Sequence, residues 1–353
     1  MGRAHFQRAL PFGLVIICFW VIKSRTGERS VTLPVFSRRR FAQVIAASAS
    51  YTVAGHWSEI TQADGKPPAG HPAFRFCLNT ATIRSHKLPL TEEIDLAARV
   101  GYDGIEPWTR EIEEFISSGG NLGDLRKRLE DRGIVIESAI GFPAWMVDDE
   151  AQRAKGFEQM KREMDWIAQL GGKRIAAPPA GAYNSPPIDL RRVAERYSQL
   201  LDMGKSMGVV PQLEIWGASA NLSRLSEAAF VLVECGHPDA CALFDVFHMY
   251  RGGSSVEGLR VFNGQALHVF HMNDYPAEPP REKIRDSDRV FPGDGVAPII
   301  RILQILGEIG FDGSLSLELF NPEYSKMSAE EVASTGLSKM RKAVEVAFQH
   351  KVT

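Results

Sequence analysis

Four residues of metal-ligand type stand at the ends of four short apolar runs in the second half of the chain. They are Glu214 in Pro211-Gln-Leu-Glu-Ile, Asp245 in Ala242-Leu-Phe-Asp, His271 in His268-Val-Phe-His, and Glu318 in Leu315-Ser-Leu-Glu. Two Glu, one Asp and one His form a donor set suited to a single divalent ion such as Mn, Co, Zn or Mg. One acidic residue at the end of an apolar run is usually a salt-bridge or loop-capping partner. Four of them, with whole structural units between, are not explained as surface charge.

Other candidates surround them. Asp245 opens Asp245-Val-Phe-His248, a spacing that turns His248 back over the same pocket to bind substrate oxygens. His268 lies three residues before His271 and so points to the other side of a strand. Glu106 and Trp108 follow Gly104-Ile, the first as a polar wall of a pocket and the second as a flat surface for a sugar ring. Phe142 and Trp145 are equally readable as pocket wall or packing. Arg289, in Asp288-Arg-Val-Phe-Pro-Gly-Asp-Gly295, is placed to hold substrate oxygens, although Pro-Gly and Asp-Gly also mark tight turns.

The elements that must position these residues alternate. Strand-like segments are expected at 74–78, 104–106, 135–139, 173–177, 210–214, 241–245, 267–272 and 313–318. Helical patterns are expected over 90–100, 121–132, 150–170, 189–207, 222–235, 296–309 and 328–349, with a poorly marked helix near 255–262. Glycines close several of them, as Gly101 and Gly133 do. Eight strands with seven or eight helices is the count of a single (β/α)8 TIM barrel, whose catalytic groups sit where strands end at one face. A doubly wound sheet needs a glycine-rich phosphate loop after its first strand; here that place reads Asn79-Thr-Ala-Thr82.

The chain has 353 residues, 44% hydrophobic and 24% charged, with a formal net charge of −2. This balance carries no basic footprint for nucleic acid. Cys18, Cys77, Cys235 and Cys241 are scattered, which reads as free or buried thiols rather than disulfides. The N-terminal region differs from the rest. Ser37-Arg-Arg-Arg-Phe41 followed by the Ala/Ser-rich stretch 42–54 reads as a twin-arginine export signal, which implies a periplasmic or exported protein; otherwise it is cytoplasmic. The apolar run Pro11 to Ile22 is too short for the about twenty residues of an unaided membrane span. The expected organisation is therefore an extension over 1–55, a linker over 56–73 and a barrel over 74–350.

From Phe74 onward the chain resembles the xylose-isomerase-like TIM-barrel superfamily of sugar isomerases and epimerases, and within it the 2-keto-myo-inositol (inosose) isomerases. The resemblance rests on Phe76-Cys-Leu-Asn-Thr-Ala-Thr82, Gly101-Tyr-Asp-Gly-Ile-Glu106, Asp245-Val-Phe-His248 and His271-Met-Asn-Asp274. More specific are Asp288 to Gly295 and Ser316-Leu-Glu-Leu-Phe-Asn-Pro-Glu-Tyr324. It implies one divalent ion held by Glu214, Asp245, His271 and Glu318, with Glu214 and Glu318 doubling as the acid/base pair and His248 touching substrate. The implied reaction is a carbonyl shift or epimerisation of a sugar or cyclitol through a cis-enediolate, and dimers or tetramers are usual. Two loops depart from the pattern: Ile215-Trp-Gly-Ala-Ser-Ala220 after Glu214, and Pro178-Pro-Ala-Gly-Ala182. The same barrel also suits a 3-keto-glycoside lyase acting by β-elimination, or a non-catalytic sugar-binding protein.

Overall fold

The structure is a computed structural model that describes residues 73–349. The export signal, Cys18 and all but the last residue of the linker lie outside the described residues. Eight parallel strands form one curled sheet: β1 Arg75–Asn79, β2 Gly104–Glu106, β3 Val135–Ile136, β4 Arg174–Ala177, β5 Val210–Glu214, β6 Ala242–Asp245, β7 Leu267–Met272 and β8 Ser314–Leu317. Their order, β3-β2-β1-β8-β7-β6-β5-β4, joins first strand to last through β1 and β8. Between β3 and β4 there is no regular ladder, and a single bond from Ala176 N–H to the Ala139 carbonyl, 2.8 Å, crosses the seam. β3 is shorter than the sequence suggests: past Ile136 only isolated bonds continue on the β2 side, from Glu137 N–H to the Ile105 carbonyl at 3.2 Å and from Ile140 N–H to the Pro107 carbonyl at 3.0 Å. Gly104 leaves room there: a Cβ would lie 2.4 Å from the Glu137 side chain, whose carboxylate pairs with Arg75 at 2.7 Å.

Strand periodicity sorts the side chains into two sets. Leu213, Phe244, Phe270, Leu315 and Leu317 pack outward into the main core beneath the helices. Leu243, Val269, Ala176 and Ile140 form a separate small cluster, the apolar filling of the barrel interior. In the same inward register as Leu243 and Val269, two residues on, stand Asp245 and His271, which pair directly across β6 and β7. The polar layer therefore sits immediately above an apolar plug, at the C-terminal mouth.

Helices cover the outside over Leu90–Val100, Leu122–Arg132, Glu150–Gln169, Leu190–Met207, Leu225–Cys235, Ile299–Glu308 and Ala329–Phe348. They end in the expected ways, with Gly101 and Gly133 in left-handed backbone as C-caps. Two helices are not marked in the sequence: Thr109–Ser117, which buries only Thr109 and Ile112, and the single short helix Val246–Arg251 directly after β6. The poorly marked segment near 255–262 is a 3-10 turn, Val256–Val261. No helix among the described residues is long and apolar enough to cross a membrane. Cys77, Cys235 and Cys241 are free.

Candidate active site

Asp245, His271 and Glu318 each offer a ligand atom within 4.8 Å of the others, and all three are buried. Asp245 ends β6, and its Oδ1 caps the following turn by accepting from the His248 amide at 2.8 Å. Its Oδ2 accepts from Asn273 Nδ2, also at 2.8 Å. Nδ1 of His271 lies 3.3 Å from Glu318 Oε2 and 3.8 Å from Asp245 Oδ2, yet makes no hydrogen bond. A buried imidazole nitrogen without a hydrogen bond, facing two carboxylates, is the donor chemistry of a divalent-metal site. Glu214 ends β5 in the same pocket but outside this compact triad. Its Oε1 accepts from Trp216 Nε1 at 3.1 Å, while Oε2 is buried with no partner. That free oxygen makes Glu214 fit as a fourth donor or as a proton carrier beside the triad.

Protonation separates the two glutamates. Burial, helped by Glu318 and Asp245 and opposed by His271, raises the Glu214 carboxyl to about 8. Burial also acts against ionisation of Glu318, but His271 and Arg289 outweigh it and hold that carboxyl far below its ordinary value. Burial disfavours a charge on His271, and the carboxylates of Glu318 and Glu106 overcome it, so its pKa rises. His248 goes the other way, lowered by burial and by Arg289.

Arg289 is fully buried and ties the cluster together. Its Nη1 donates to Asp245 Oδ2 and Glu318 Oε2, both at 2.8 Å, and its Nη2 reaches Asp286 Oδ1 at 2.5 Å and His248 Nε2 at 3.1 Å. It lines the pocket as expected, with its guanidinium committed to the acidic floor. The loop that carries it is pinned by Asp274, whose carboxylate accepts from the amides of Gly293, Gly295 and Ala297 at 2.8–3.1 Å.

Glu106 does not form the pocket wall that its sequence position suggests. It is fully buried, and its Oε2 meets His271 Nε2 at 2.9 Å, Ser316 Oγ at 2.7 Å and Asn79 Nδ2 at 3.0 Å. As an inward residue one strand away from β1, it lies under the imidazole and fixes its ring. Trp108 lines the pocket, with its Nε1 on Asn79 Oδ1 at 3.1 Å and Arg84 stacked 3.8 Å from its ring centre. His248 and Phe142 also line it. Trp145 does not: it is fully buried, bonded to the Pro178 carbonyl at 2.7 Å, and packs on Tyr197. His268 stands away from the cluster, near Arg174 and Asp312.

Asn79, Asn273 and Asp286 were not expected in these roles. Asn79 donates to both Glu106 and Glu318, 3.0 and 3.3 Å away. Asn273 bridges Asp245 and the Phe247 amide. Asn79 ends β1 and Asn273 directly follows β7, and neither these uncharged residues nor Asp286 is marked out in the sequence from an ordinary turn residue.

Comparison with known proteins agrees with this geometry. Residues 94–343 match the family model described as xylose isomerase-like TIM barrel. An inosose isomerase of Bacillus velezensis is 29% identical over 265 residues, covering 74% of this chain and 94% of the relative. A D-psicose 3-epimerase of Agrobacterium fabrum is 26% identical over 241 residues, covering 64% and 78%. The crystal structure of the IOLI protein with a bound zinc atom superposes with a TM-score of 0.72 at 26% identity, covering 78% of this chain and 99% of that one.

Proposed function

Because the chain belongs to the xylose isomerase-like TIM barrel family, we propose that it is a divalent-metal-dependent isomerase or epimerase acting on a sugar or cyclitol ketone. The observation that carries this reading is the buried triad of Asp245, His271 and Glu318 with the free Nδ1 of His271 at its centre. The zinc of the IOLI protein and the ketose and inosose activities named for the relatives support it. Asp245, His271 and Glu318 would hold the ion, with Glu214 as the fourth donor. When bound there, a divalent ion supplies Lewis acidity toward a carbonyl and its neighbouring hydroxyl.

The residues of the chain supply the proton transfers. Removing a proton α to a ketone and returning one to the opposite face calls for a carrier on each face, while a carbonyl shift to the adjacent carbon can be served by one. Glu214 at the end of β5 and Glu318 just after β8 both line the pocket and suit these proton transfers. His248 lines the pocket and suits the orientation of substrate oxygens, with Arg289 holding it and the carboxylates of Asp245 and Glu318 in place. The test is turnover of 2-keto-myo-inositol and ketohexoses by protein stripped with chelator and then reloaded. Turnover should vanish on stripping and return with Zn or Mn. Undiminished turnover by the stripped protein would sink the metal-dependent reading.

A further inference from the structure

The pocket above the acidic floor is much larger than one ketose. It is a half-open cleft of about 850 Å³. At no more than a water's share of liquid volume per non-hydrogen atom, about 30 Å³, a twelve-atom ketocyclitol displaces at most roughly 360 Å³. The remaining space is bounded by an arc of aromatic rings: Tyr183 against Trp216 at 6.2 Å, Trp216 against Phe142 at 5.8 Å, and Phe142 against Trp108 at 4.8 Å between centroids. These rings come from the loops after β4, β5, β3 and β2, so the arc wraps about half of the mouth.

The arc is built rather than incidental. Both indole N–H groups are tied to the floor, Trp216 to Glu214 and Trp108 to Asn79, which fixes both rings at the pocket wall, and Arg84 stacks on Trp108 behind the arc. The loops that carry Tyr183 and Trp216 are fastened together by Ala220 N–H on the Tyr183 carbonyl at 2.8 Å and Asn221 Nδ2 on the Ala182 carbonyl at 2.9 Å. Phe142 and Tyr183 are nonetheless each 38% exposed, large aromatic surfaces left open beside a catalytic floor whose acidic and imidazole groups are at most 8% exposed. The loops of Tyr183 and Trp216 hold the two segments, 178–182 and 215–220, that depart from the inosose isomerase pattern.

We infer that this arc is a subsite for a second ring, an aryl group or the C–H face of a sugar, joined to the ketose that occupies the metal floor. The inference rests on the ketose reading of that floor. Planar rings gain from packing on tilted aromatic faces as well as from burial, and a lone cyclitol would leave this wall wet.

Two measurements on the zinc-loaded full chain separate the subsite from the chemistry. The first compares equilibrium binding of phenyl β-D-glucopyranoside, cellobiose and methyl β-D-glucopyranoside by calorimetry. The phenyl glycoside or cellobiose should bind about tenfold or more tighter than the methyl glycoside. That advantage should disappear in Phe142→Ala and in Phe142→Ala/Tyr183→Ala, neither of which touches the acidic floor. Whichever of the two wins identifies the second ring as aryl or sugar. Equal affinity for all three in the wild-type protein would overturn the subsite, as would an advantage that survives in both variants. The second follows deuterium uptake from D₂O into free 3-keto-glucose by the wild-type protein. Absence of uptake in the wild type defeats the ketose reading while the binding comparison still decides whether the arc takes a second ring.

Discussion

Nε2 of His271 and Oε2 of Glu106 lie 2.9 Å apart with both side chains fully buried, so the imidazole is anchored on one side and left open on the other. A hydrogen bond from the remote ring nitrogen to a carboxylate sets both tautomer and orientation of a ligating histidine. Glu106→Gln weakens that anchor without opening a cavity. Its affinity for zinc, measured by competition with a chromophoric chelator, is expected to fall by about 10–100-fold. An unchanged affinity would show that His271 is oriented by packing alone.

Arg289 neutralises Asp245 and Glu318 at once, 2.8 Å from each. Arg289→Met leaves Asp245 and Glu318 with the His271 imidazole as their remaining cationic neighbour, and losing one member of a buried ion pair costs about 3–5 kcal/mol in comparable cases. Urea unfolding of the metal-free variant should show a loss of that size. Added zinc should narrow the gap to wild type, since an ion bound only by the folded state stabilises it. A variant as stable as wild type without metal would contradict the neutralising role.

His268 belongs to the other end of the barrel. Burial, then the neighbouring Arg174, lowers its pKa to about 4. With an ordinary value near 6.5 in the unfolded chain, the unfolded state binds more protons between those two values. Stability must then fall as pH is lowered through that window and is unaffected by this group above it. His268→Gln should flatten the pH dependence of the urea midpoint between pH 6.5 and 4 by up to about one proton's worth of slope. A slope identical to wild type would show that other groups carry it.

Gly295 sits where a Cβ would come within 2.2 Å of the Tyr275 carbonyl oxygen and 2.4 Å of Asp274 Oδ1. Gly295→Ala should disturb the Asp274 cradle and with it the loop that carries Arg289. An overpacking loss of about 1–3 kcal/mol is expected, with faster proteolytic nicking of residues 286–296. Wild-type stability and nicking would mean that the cradle yields without consequence.

The strand ends were legible because each is a local pattern: an alternating apolar run with one acidic or imidazole residue in the inward register. Asp245 and His271 pair across β6 and β7 as that pattern implies. Glu106 was misread because its partner His271 is distant along the chain; only the parallel register of β1, β2 and β8 brings the strands that flank it together. Asn79 and Asn273 carry no charge, so nothing local separates them from ordinary turn residues. Trp145 and Phe142 differ by three positions in one irregular segment, where neither strand nor helix period applies. One ring is buried against Tyr197 and the other faces the pocket.

The most direct test of α-proton transfer at this site is deuterium incorporation from D₂O into 2-keto-myo-inositol and ketohexoses, followed by NMR, with zinc-loaded wild type, Glu214→Gln and Glu318→Gln. Wild type should exchange the proton α to the carbonyl of at least one of these ketones. Each variant should still bind zinc measurably while exchanging about 10²-fold more slowly or worse. Near-wild-type exchange in both glutamine variants would contradict the assignment of Glu214 and Glu318 as the proton carriers.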